Sequence, residues 1–121
     1  MIVIKEKDVP ERKMDRKWDA WMREYITRDK HSENISVTWY RLLGRHSKIA
    51  TNCSDRVYYI IDGTAVFGAG DEEPVKVKKG DFVLIPKGEG YYYEGDVTVL
   101  IINGPAFKAG DDKILDPSEW V

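Results

Sequence analysis

The chain has no glutamine, a single cysteine and only two histidines. One thiol, Cys53, cannot close an internal disulfide, which fits a reducing compartment and leads us to expect a cytoplasmic setting. Long apolar runs are missing as well. The longest, at 97–102, is far short of a membrane-crossing helix, and residues 1–8 carry early acids and no secretory hydrophobic stretch. Neither sign of charge prevails: 19 Lys and Arg against 21 Asp and Glu leave −2 at pH 7, so nucleic acid is not an expected partner, nor is a membrane. Internal repeats, low-complexity tracts and Gly/Ser linkers are absent, leaving no seam at which to divide the chain. What is present suffices for one core. With 121 residues, 42% of them apolar and 12% aromatic, a single domain over 1–121 is expected.

The texture changes once, near residue 35. Before it, residues 8–29 read two ways. Asp8 and Glu11 flank Pro10 at capping-box spacing, and Met14, Trp18, Trp21, Met22, Tyr25 and Ile26 recur at helical spacing. Residues 23–27 also read as a short strand. The expectation for 1–34 is thus a helical or irregular first half followed by an edge strand. After residue 35 the signals are β. Runs at 35–43, 56–61, 64–67, 75–77, 82–85, 91–93 and 97–102 are rich in β-branched and aromatic residues and separated by Gly or Pro. Asp62-Gly63 reads as a hairpin turn. Short strands at close spacing, with no helical crossovers between them, predict an all-β sandwich or barrel of antiparallel strands.

This punctuation resembles the cupin superfamily, small jelly-roll barrels with two motifs. Gly44 and Gly63 stand at the two glycine positions of the first motif; Gly80, Pro86 and Gly88 stand at the matching positions of the second. The resemblance implies a jelly-roll core over 35–105, with 106–121 as a C-terminal tail. It also marks where the family's metal ligands fall: Ala50 and Asn52 at the two histidines, Arg56 at the glutamate, Tyr91 at the second-motif histidine, and Gly95 at the last asparagine. Alanine offers no donor atom, and a guanidinium has no lone pair and repels a cation. The expectation is therefore a cupin with no metal and no other cofactor.

By alternation, and if the ligand-bearing faces are kept, Asn52, Arg56, Tyr58, Tyr91 and Tyr93 point into the barrel. One cation, an amide and several phenols suit a small polar ligand, anionic or sugar-like. Each has a structural alternative: Arg56 paired with Asp55, Glu89 or Glu94; the tyrosines as packing; Asn52 as turn chemistry. His46 is either a surface histidine at a turn or, with Tyr91, the base and acid of a proton transfer, as in some metal-free epimerases of the superfamily. His31 reads as a solvated loop residue, and Cys53 as a small strand or loop residue.

Three functions follow. The first is a metal-free barrel that binds a small anionic or sugar-like molecule. The second is a metal-independent isomerase or epimerase with His46 as base and Tyr91 as acid. The third is a structural or interaction barrel with no ligand. Trp18, Trp21, Trp39 and Trp120 could cover a subunit interface, and the resemblance implies a homodimer.

Overall fold

A computed structural model describes residues 1–115; Trp120 and the end of the expected tail lie outside the described residues. The strands are β1 (Arg12–Lys13), β2 (Asp19–Ile26), β3 (Ser36–Thr51), β4 (Asp55–Ala69), β5 (Val75–Lys78), β6 (Phe82–Ile85), β7 (Tyr91–Gly104) and β8 (Asp112–Ile114). The sheet runs β1-β2-β3-β7-β4-β5, with β6 also on β4 and β8 also on β3. All pairings are antiparallel. The result is a jelly-roll architecture whose sheet is not closed.

The N-terminal segment differs from the helical reading. The one helical turn among the described residues is a 3-10 turn at Glu6–Asp8, ahead of Pro10 rather than after it. Trp18 and Met22, which fit a helical period, fit a period of two equally well. Trp18, Ala20 and Met22 face the core along β2 and just before it, while Trp21, Arg23 and Tyr25 take the opposite face. The strand reading of 23–27 is the one the chain adopts.

Three strands are far longer than expected, at 16, 15 and 14 residues for β3, β4 and β7. The Asp62-Gly63 pair is not a hairpin turn. Residues 56–61 and 64–67 are two halves of β4, and the register along β7 shifts between Ile60 and Asp62. Gly63 sits at φ +79°, where a Cβ would run into the Asp96 carbonyl. Gly44 and Gly95 pair with each other across β3 and β7, both at positive φ. A glycine at such a place lets a paired strand bend without ending it. The bends fall in register across three adjacent strands and turn them together around the core. That core holds Leu42, Ile60, Val97, Val99, Tyr58, Tyr91 and Tyr93, each almost fully buried.

Candidate functional site

A cavity of about 540 Å³ opens between the inner face of β3, β4 and β7 and the arm at residues 12–16. Met14, Met22, Ile49, Ile101 and Phe107 give it an apolar flank; Tyr40, His46, Arg56, Tyr58, Asn103 and Asp112 give it a polar one, and Arg12, Lys13, Asp15, Arg16 and Glu24 add charges of both signs to the lining.

A bulge in β3 decides which residues face inward. His46 pairs with Tyr93 and Ile49 with Tyr91, so three steps on β3 oppose two on β7. Inward parity thus passes from the even positions Tyr40, Leu42 and His46 to Ile49. Asn52 is consequently not part of the cavity. It is exposed on the turn after β3, where its backbone N–H donates to the Asp111 carbonyl.

His46 is buried in the cavity wall, not on the surface at a turn. Its Nδ1 lies 2.7 Å from the Ser47 carbonyl. A carbonyl only accepts, so Nδ1 carries the proton and Nε2 the lone pair. The ring stacks on Tyr93 at 5.2 Å and lies 4.6 Å from Trp18. Burial pushes its pKa down to about 4, the Ser47 carbonyl opposing that shift.

Arg56 also points inward and is 4% exposed. Its Nε donates to Asn103 Oδ1 at 2.9 Å, Nη1 to the Tyr91 hydroxyl at 2.9 Å and to Asp112 Oδ2 at 3.3 Å, and Nη2 to Asp112 Oδ1 at 2.8 Å. Four of the five guanidinium N–H groups therefore meet protein acceptors. The partner is Asp112 on β8, not Asp55, Glu89 or Glu94. Tyr58 lines the cavity, and its hydroxyl lies 2.6 Å from that of Tyr91, which sits behind it. Burial raises both phenols above the usual tyrosine range, Arg56 opposing the shift in each. Tyr93 supports the site, stacked between His46 and Phe67 at 5.2 and 4.8 Å. Tyr40 accepts from Trp18 Nε1 at 3.1 Å, and its pKa is raised by burial to about 12. His31 serves its own loop: its Nδ1 accepts the Thr27 N–H at 2.9 Å. Cys53 is exposed.

Asn103 and Asp112 carry much of the site and were not evident from the sequence. Asn103 had a signal: an amide in phase with Val97, Val99 and Ile101 on an otherwise apolar strand must be buried and needs a partner. Asp112 had none, because its position depends on β8 pairing with β3.

The residues here do not fit a divalent cation. A fixed guanidinium occupies the polar end and its carboxylate neighbour is already engaged. Among the described residues, no group of three or more His, Cys, Asp or Glu is gathered to hold one.

No family model matches the sequence. A stretch of 63 residues is 35% identical to the acireductone dioxygenase of Leptospira biflexa, covering 50% of this chain and only 36% of that protein. Pac13, a nucleoside dehydratase, superposes with a TM-score of 0.78 at 17% identity, over 99% of this chain and 98% of that one. The Streptomyces protein is also solved with uridine in variants where a histidine is changed to glutamine or a tyrosine to phenylalanine. KdgF from Halomonas superposes at 0.74 with 10% identity, over 89% of this chain and 96% of that one. The chain has the cupin fold that its glycine and proline spacing resembles. Among the described residues, no helix is long and apolar enough to cross a membrane.

Proposed function

We propose that the cavity binds a small hydroxylated molecule, sugar- or nucleoside-like, and that the chain moves a proton on it without a metal. His46 is the base and the Tyr58–Tyr91 pair the acid. One observation carries this reading: His46 is a neutral imidazole in the cavity wall whose Nδ1 is tied to a backbone carbonyl, leaving Nε2 as the basic atom. Tyr58, protonated at every physiological pH, supplies the proton to a carbonyl or departing hydroxyl oxygen. Tyr91 and Arg56 stand behind it.

Arg56 is largely saturated by Asn103, Tyr91 and Asp112, and the other charged lining residues, Arg12, Lys13, Arg16, Asp15 and Glu24, are of both signs, which favours a neutral polyhydroxylated ligand over the anion the Arg56 charge suggested. The mixed walls fit the same choice: thioether and aromatic groups for a ring face, and phenol, imidazole and amide for hydroxyls. Removing a proton from carbon while protonating an oxygen serves isomerisation, epimerisation and loss of water alike. Similarity to a nucleoside dehydratase makes the last of these the first to try.

The test is calorimetric titration with uridine and with free pentoses and hexoses. Any probe that binds is then incubated in deuterated water and followed by NMR for exchange at carbon or for loss of water. Binding with turnover in the wild type, and binding without turnover in His46→Gln, is the expected pair of results. Binding with no exchange in the wild type would leave a binding module and remove the catalytic half of the proposal. No binding by any hydroxylated probe would remove the whole.

A further inference from the structure

A second hollow, of about 570 Å³, lies between residues 3–10 and the end of β2 with the loop that follows it. It adjoins the main cavity. Arg12 and Glu24 line both, and their side chains meet at 3.3 Å, so one ion pair stands between the two spaces. The local fold puts it there: Arg12 pairs with Met22 across β1 and β2, and Glu24 follows Met22 on the same face of β2. Both members are engaged, Arg12 Nη2 also lying 3.4 Å from Met22 Sδ. The partition is nonetheless weak. Its side chains are 56% and 47% exposed, a setting in which an ion pair contributes little and parts readily. Arg12 itself stands on a strand of only two residues.

The lining of the second hollow suits hydroxyl groups. Thr27 Oγ1 is buried in its wall with no hydrogen-bond partner among the described residues, a state that a partner from outside the chain relieves. His31 lines the same space. Its Nδ1 accepts the Thr27 N–H, so the neutral ring carries its proton on Nε2, a donor with no acceptor among the described residues. Lys30 adds an ammonium donor, Asp29 a carboxylate acceptor, and Tyr25, Val9 and Pro10 an apolar surface. Charges of both signs select neither an anion nor a cation. A sugar ring meets all of these groups, since its hydroxyls both donate and accept and its C–H face is apolar.

We infer that the two hollows are subsites of one site and that the ligand is a disaccharide. One ring lies beside His46 and Tyr58; the other lies past Arg12 and Glu24, against Thr27 and His31. The assignment rests on the main cavity taking a sugar-like ring, as proposed above. The glycosidic link then crosses where Arg12 and Glu24 meet. When that pair parts, the guanidinium donates to hydroxyls beside the link and the carboxylate accepts from them, so each charge keeps a partner.

The experiment is an NMR titration of the full ¹⁵N-labelled chain with glucose, cellobiose, maltose, gentiobiose and isomaltose, and with xylose, xylobiose and uridine. At least one disaccharide should bind about tenfold or more tightly than its own monosaccharide. Its amide shifts should include Thr27, Lys30 and His31 as well as His46 and Tyr58, whereas the monosaccharide should move only the second group. Thr27→Val keeps the side-chain shape and removes the hydroxyl, and should lower the disaccharide-to-monosaccharide affinity ratio about three- to tenfold. Lys5→Trp, at an exposed position on the wall of the second hollow, should fill that space and bring the ratio near one. Circular dichroism checks that both variants fold. Monosaccharides and disaccharides that bind equally, with no shift at Thr27 or His31, overturn the inference and leave the reading of the main cavity standing. Binding of uridine alone does the same. A disaccharide that moves Thr27 and His31 but not His46 overturns it too, because the hollows would then be separate sites. Silence from every probe removes the inference together with the reading on which it rests.

Discussion

The hydroxyls of Tyr58 and Tyr91 lie 2.6 Å apart, and Arg56 donates to Tyr91 from behind at 2.9 Å. A phenol oxygen that accepts from a guanidinium becomes a better donor through its own O–H. Either hydroxyl can donate across this contact, and where Tyr91 directs its O–H at Tyr58 the Tyr58 proton is left for the cavity. Tyr58 lines the cavity and Tyr91 does not, so the two tyrosines are not equivalent.

Tyr58→Phe removes the only one of the two hydroxyls that lines the cavity. Turnover of any substrate identified should fall by about 10²–10⁴-fold, with a stability loss of about 1 kcal/mol. Tyr91→Phe should show the reverse weighting. It strands an Arg56 N–H and a Tyr58 hydroxyl in the interior, so stability falls by about 2–3 kcal/mol while turnover falls less. Denaturant titration and steady-state kinetics on both variants check this. Equal effects in both columns would refute the ordering.

The depressed His46 pKa fixes a pH dependence. Between pH 4 and 6.5 the unfolded chain holds a proton on this residue that the folded chain rejects, so the folded state loses stability as the pH falls. The contribution is complete above 6.5 and declines toward 4, amounting to about 3 kcal/mol over that window. His46→Gln does not titrate, so the difference in unfolding free energy between wild type and variant should change across this window and be flat above it. Catalytic efficiency, if limited by the neutral base, should hold down to about pH 4. A rising limb at the ordinary histidine value would mean the ring is more solvated than its packing indicates.

The glycines at the bends separate backbone freedom from space. At Gly63, positive φ combines with a Cβ position inside the Asp96 carbonyl. Gly63→Ala should therefore cost about 3 kcal/mol or more. Gly80 has φ +95° but nothing within 4 Å of the added atom, so Gly80→Ala should cost only the backbone strain, about 1–2 kcal/mol. Thermal unfolding of the two variants gives the comparison directly.

Metal content tests the site's donor set. Elemental mass spectrometry on untagged protein should find transition metals far below one per chain, and chelators should leave the unfolding midpoint in place. A stoichiometric metal would mean that Arg56 and Asp112 part in the native protein to admit it.

The sequence carried the fold further than it carried the site, for a local reason. Gly44, Gly63, Gly80, Pro86 and Gly88 are punctuation that depends on their own backbone angles, and their spacing alone marks a jelly roll. Yet glycine marks a bend as readily as an end, and so β4 read as a hairpin at Gly63. Alternation placed Arg56 and Tyr58 correctly because β4 is regular between them. It placed Asn52 inside because the bulge between His46 and Ile49 leaves no mark in composition. The partner of Arg56 was unreadable because Asp112 reaches it only through β8 pairing with β3, a contact between residues far apart in the chain.

That distant pair offers a quantitative test. Arg56 is 5% exposed at its side chain and Asp112 30%, so the two sides of the bridge are unequally desolvated. Removing the carboxylate in Asp112→Ala leaves a buried guanidinium with only neutral acceptors, Asn103 and Tyr91. The loss should be about 2–3 kcal/mol, below the full figure for a wholly buried pair because water already reaches Asp112. Removing the cation in Arg56→Met leaves a carboxylate that can turn to solvent, but strands the Asn103 and Tyr91 acceptors, for a loss of about 2 kcal/mol. The double variant should be less destabilised than the sum of the two, with a coupling of about 1–2 kcal/mol from urea unfolding of all four proteins. A coupling near zero would mean that the bridge merely satisfies Arg56 and does not help to hold β8 against the barrel.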